Sequence, residues 1–128
     1  MLDLDALVAT LSRDTAIDAA YLLGSAVSGR MRPDSDVDIA VLPAAHRELT
    51  ALDRGRLAAA ISLDLGRVVD LGVLSSANLI YARQAILTGR RIYVRNPKRA
   101  DLLAAALLGM YERFDLDRRE VCDAYTAR

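Results

Sequence analysis

Residues 21–42 read YLLGSAVSGRMRPDSDVDIAVL, and the order of turn, acidic pair and apolar run within them decides the fold. Val37, Ile39, Ala40, Val41 and Leu42 form a short, continuous, partly β-branched run, which predicts a buried strand over 37–42. Asp36 and Asp38 stand at its mouth. Strand side chains alternate faces, so both carboxylates point the same way, with Cα atoms roughly 6.6 Å apart at about 3.3 Å per residue. Two like charges this close raise each other's pKa unless a cation lies between them, so the pair is a candidate grip for one or two divalent ions. Upstream, Ile17 to Leu23 is a second apolar strand that runs directly into Gly24-Ser25. Glycine lets the backbone approach a ligand closely. The N–H groups that follow, with the Ser25 hydroxyl, suit phosphate oxygens if residues 25–29 wind into a helical turn.

Outward from this centre the chain alternates helix and strand. Leu4, Leu7, Val8 and Leu11 recur at helical spacing behind Asp3 and Asp5, predicting a helix over 3–12. After the acidic strand, which Pro43 closes, residues 46–65 read as a crossover helix, with a break at Gly55 and a C-terminal cap at Gly66. Residues 67–74 read as a third buried strand interrupted by Asp70, a carboxylate that needs a cation or donor among Val68, Val69, Leu71 and Val73. A helix capped by Ser75 or Ser76 runs to Leu87 before Gly89, with Leu79, Ile80, Ala82, Ala85, Ile86 and Leu87 turned mostly inward. An edge strand, RIYVR, spans 91–95, and Asn96-Pro97 opens a last helix. Its stripe of Leu103, Ala106, Leu107, Met110 and Phe114, widened by Leu108 and Tyr111, leaves apolar surface for a partner. The expected architecture is α/β, a small mixed sheet with helices mainly on one face, in one domain over residues 1–128.

The spacing of Gly24-Ser25, ten intervening residues and then Asp36-Val37-Asp38 resembles the minimal nucleotidyltransferases of the DNA polymerase β superfamily. Arg-Pro-Asp-Ser-Asp at 32–36 is similar to the small members encoded beside HEPN ribonuclease toxins, and the likeness spans at least residues 17–95. The resemblance implies a DNA polymerase β-like fold and a metal-dependent nucleotidyltransferase. In that family a third carboxylate stands on the strand beside the Asp-x-Asp strand, and Asp70 matches it. Asp36, Asp38 and Asp70 would then be both metal ligands and catalytic residues, holding two Mg²⁺ ions about 3.5–4 Å apart. Gly24, Ser25 and Arg30 would bind the nucleotide. Related sequences carry basic residues where this one has Ala26 and Ser28, and Arg30 and Arg32 are the nearest substitutes.

By the same resemblance the chain is an antitoxin that transfers AMP from ATP to a tyrosine hydroxyl of a cognate HEPN toxin, forming a hetero-oligomer with it. Alternatives are occlusion of the toxin without chemistry, or transfer to a small-molecule hydroxyl. Composition narrows the partners further. Seventeen basic and seventeen acidic residues cancel, so no net field draws the chain to nucleic acid or an anionic membrane. No apolar stretch reaches transmembrane length or forms a signal-peptide core, and the lone Cys122 excludes an internal disulfide. The expectation is a cytoplasmic protein. His46, the single histidine, follows Pro43-Ala44-Ala45 and has no serine or cysteine elbow to serve.

Overall fold

The computed structural model describes residues 2–30, 32 and 34–126. Its elements in chain order are α1 (Leu4–Ser12), β1 (Ile17–Leu23), α2 (Ser25–Ser28), β2 (Val37–Pro43), α3 (Ala51–Leu65), β3 (Val69–Val73), a 3₁₀ turn at Ser76–Asn78, α4 (Leu79–Thr88), β4 (Arg90–Val94) and α5 (Pro97–Thr126). The four strands form one sheet in the order β3-β2-β1-β4. β1 lies antiparallel to both β2 and β4, while β2 and β3 are parallel, so α3 has to return the chain across the sheet between them.

Helices cover both faces rather than mainly one. On the first, Leu7 and Leu11 of α1 and Leu57 and Ile61 of α3 pack on Ile17, Leu22, Val37, Ile39, Val41 and Leu71. On the second, Ala82 and Ala85 of α4 and Ala100 and Leu107 of α5 pack on Ala19, Tyr21, Ala40 and Leu42. The physical reason is visible in β1 and β2, which are apolar at nearly every position instead of every second one, as burial on both faces requires. The alanines at 19 and 40 keep the second face shallow, so α4 and α5 can approach it.

Three elements differ from expectation. α3 starts at Ala51, not at residue 46, because Thr50 and Asp53 form a reciprocal capping box: the Thr50 hydroxyl accepts from the Asp53 N–H and the Asp53 carboxylate accepts from the Thr50 N–H. Its exposed face tolerates Gly55 without a break. In α4, Asn78 rather than a serine accepts from the Tyr81 N–H, while Ser75 caps the preceding 3₁₀ turn. Ile80 and Leu87 face solvent. In α5, Asn96 caps the start as expected, but the inward residues are Ala100, Ala104, Leu107 and Asp115. Met110 and Phe114 lie outside.

One buried charge ties α5 to the sheet. Asp18 on β1 is wholly buried, and both of its carboxylate oxygens accept from the Arg99 guanidinium at 2.6 Å. Arg95 beside it donates to the carbonyls of Ser12 and Asp14. Among the described residues no helix is long and apolar enough to cross a membrane.

Candidate active site

β1 and β2 deliver their acidic and glycine ends to the same edge because they are antiparallel and Leu23 pairs with Asp38. Gly24 therefore leaves β1 directly beside the Asp38 carboxylate. Its φ is +62°, in the left-handed region, and a Cβ there would sit 3.1 Å from an Asp38 carboxylate oxygen, so glycine serves both the turn and the close approach. Ser25 opens the single turn of α2, which closes on Gly29 at φ +76°.

The parallel pairing of β2 with β3 sets Asp38 opposite Asp70, each the second residue of its strand. Asp36 lies one residue before β2, exposed in the loop, and near enough to act on Asp38 through space. Asp38 is half-buried. Its carboxyl is held above the ordinary value of 3.8, first by burial, then by the charges of Asp70 and Asp36. This cluster of like charges is what the acidic pair foretold. Asp70 itself departs from expectation: it is exposed, not sunk among its valines, because Val69, Leu71 and Val73 turn toward the core from the alternate face and Val68 faces solvent. As placed, no three His, Cys, Asp or Glu side chains among the described residues stand close enough to surround an ion.

Asp38 and Asp70 open into a cleft of about 660 Å³. Its rim includes Gly24 and Arg54, and one wall is the polar side of α4 with Asn78, Tyr81, Gln84 and Thr88. Tyr81 packs so closely across β3 that a Cβ on Gly72 would run into its hydroxyl. Burial first, then the charges of Asp70 and Asp38, push its phenol above the ordinary tyrosine value. Arg30 is exposed in the loop after Gly29 and does not line this cleft, so the cation at its rim is Arg54 instead. Arg32 is exposed as well, and its backbone N–H donates to the Ser35 hydroxyl. Pro33 lies outside the described residues.

Sequence reasoning missed Arg54, Tyr81 and Gln84. A usable signal did exist, since Asn78, Tyr81, Gln84 and Thr88 recur every three or four residues, the spacing of one helix face. His46 and Cys122 are exposed and stand apart from the cleft.

Known proteins place this geometry in a family. The chain is 31% identical over 103 residues to the protein adenylyltransferase MntA of Shewanella oneidensis, covering 80% of this chain and 72% of that protein. A crystal structure of a toxin–antitoxin with AMP-PNP superposes with a TM-score of 0.80 at 26% identity, over 98% of this chain and 99% of that one. A tri-AMPylated Shewanella oneidensis HEPN toxin in complex with MNT antitoxin gives a TM-score of 0.71 at 26% identity, over 96% and 95% of the two chains. Residues 5–98, which hold Gly24, Asp36, Asp38, Asp70 and Tyr81, match the family model Polymerase beta, Nucleotidyltransferase, and the chain belongs to that family.

Proposed function

We propose that this chain is a protein adenylyltransferase antitoxin that moves AMP from ATP to a tyrosine hydroxyl of a HEPN ribonuclease toxin and so neutralises it. The observation that carries the proposal is the pairing of Asp38 with Asp70 beside Gly24, at the mouth of a cleft large enough for a nucleotide. The similarity to MntA, and to toxin–antitoxin structures with AMP-PNP and with an AMPylated toxin, supports the substrate and the partner.

The carboxylates suit Mg²⁺ once two of them turn toward it: Asp70 and Asp36 act on Asp38 through space and oppose its ionisation, and both are exposed enough to move onto an ion. When bound, Mg²⁺ would activate the acceptor hydroxyl and offset the charge of the triphosphate. Asp36 and Asp38 would hold both ions, and Asp70 the one nearer the acceptor. Gly24 admits the triphosphate to the turn without a side chain in the way, and Ser25 offers a hydroxyl and an N–H to its oxygens. Arg54 at the rim supplies the cation, a position that Arg30 does not line. The acceptor comes on another protein, whose own interface positions its tyrosine over an open cleft. Drawing on cellular ATP, the activity belongs in the cytoplasm.

Co-expression with the cognate toxin, followed by intact-mass spectrometry, tests this reading. The toxin should gain one or more adenylyl units on one tyrosine, and Asp36→Asn or Asp38→Asn should remove the gain. Both variants should also lose MgATP affinity by calorimetry. A toxin of unchanged mass that is nonetheless silenced would replace chemistry with occlusion.

A further inference from the structure

The cleft contains a phenol of its own. Tyr81 projects from the first turn of α4, and its hydroxyl lies over Gly72, two residues beyond Asp70 and on the same face of β3. The glycine is what makes room, since a Cβ at 72 would collide with that hydroxyl. Other hydroxyls on the wall are occupied: Ser75 accepts from the Ala77 N–H and Thr88 donates to the Gln84 carbonyl. Among the described residues the Tyr81 hydroxyl has no hydrogen-bond partner, and no buried side-chain polar atom lacks one, so this hydroxyl opens into the cleft.

We propose that Tyr81 is an acceptor in cis, taking AMP from ATP onto its own phenolic oxygen when no partner tyrosine fills the cleft. The proposal rests on the adenylyltransferase reading above and adds a modification site within this chain. The phenolic oxygen attacks the α-phosphorus of ATP. The bond from that phosphorus to the oxygen bridging to the β-phosphate breaks, and pyrophosphate leaves with the electron pair. The phenolic proton passes to solvent, which reaches the hydroxyl through the open cleft. The product is a tyrosyl-AMP ester whose adenylyl group lies in the cleft, so the modified chain is closed to fresh nucleotide and to the toxin tyrosine alike.

The test uses the purified full chain alone with ATP and Mg²⁺, beside a parallel reaction that contains the toxin. Intact mass should show one adenylyl unit on the chain, and peptide mapping should find it at Tyr81. Tyr81→Phe, which keeps the ring against Gly72, and Asp70→Asn should both stay unmodified. The modified chain should bind fresh MgATP roughly tenfold more weakly or worse, a loss of about 1.4 kcal/mol or more. A chain that adenylylates the toxin yet never gains mass itself overturns this proposal and leaves the proposed function standing. An adduct mapped elsewhere, or one that persists in Tyr81→Phe, overturns it too. Transfer in neither reaction removes both readings together.

Discussion

Asp38 is set in surroundings that oppose its own charge, and this has a consequence for stability. Its carboxyl titrates above 3.8 in the folded chain, so between 3.8 and the raised value the folded state binds more protons than the unfolded one. The stabilisation is therefore complete below 3.8 and is lost as pH rises through the folded value. Asp38→Asn should melt higher than the parent at neutral pH without ligand and match it near pH 3, while its transfer activity falls by about three powers of ten or more. A thermal melt at both pH values, with a mass-based transfer assay, checks both halves. Gly72→Ala should cost about 1–3 kcal/mol and displace the Tyr81 ring, read by chemical denaturation and by tyrosine fluorescence. At this scale Gly24, Asp36 and Asp38 were legible because they lie within one short stretch whose spacing encodes their meeting. Tyr81 and Arg54 were not, because they reach the cleft from helices whose placement over the sheet is settled by packing far along the chain. Asp70 was legible as a neighbour of the acidic pair but not in its exposure, which depends on β3 being the sheet's outer strand beside β2.

Among the elements, the joint between β1 and α5 bears most on stability. Arg99→Ala leaves the wholly buried Asp18 charge without its two-pronged partner and should clearly destabilise the fold. The double variant Asp18→Asn/Arg99→Leu should recover much of that loss, because no charge is then stranded. Denaturant melts of both variants test the argument. Thr50→Ala should cost about 1 kcal/mol through loss of the α3 capping box. Element order was legible throughout, and β1 was bounded to the residue, since apolar runs between Gly, Pro and Asn leave little freedom. The start of α3 was misread because an apolar count begins at Leu49, whereas the helix begins where Thr50 and Asp53 satisfy its first N–H groups. The second layer of helices was overlooked because Ala19 and Ala40 carry little hydrophobic weight, yet their smallness is what admits α4 and α5.

Viewed whole, the molecule has a lopsided outline. The first half of α5 is anchored by Ala100, Ala104 and Leu107, and Asp115 is held by Arg118 and Arg119 at 2.6 and 3.1 Å. Beyond Asp115 every described residue of the helix is exposed, including Leu116, Val121 and Tyr125. A chain ending at Glu120 keeps this carboxylate clasp, so it should melt within a few degrees of the parent and bind MgATP equally well. Its toxin affinity, measured by calorimetry, should fall at least tenfold, roughly 1.4 kcal/mol, if that overhang docks the partner. A helical end that touches nothing else in its own fold opens at almost no free-energy cost. It is therefore where an added protease should first cut the chain alone, and a bound partner should hide it. Susceptibility to an added protease beyond Asp115 then becomes a readout of occupancy, expected to be high for the chain alone and low in complex.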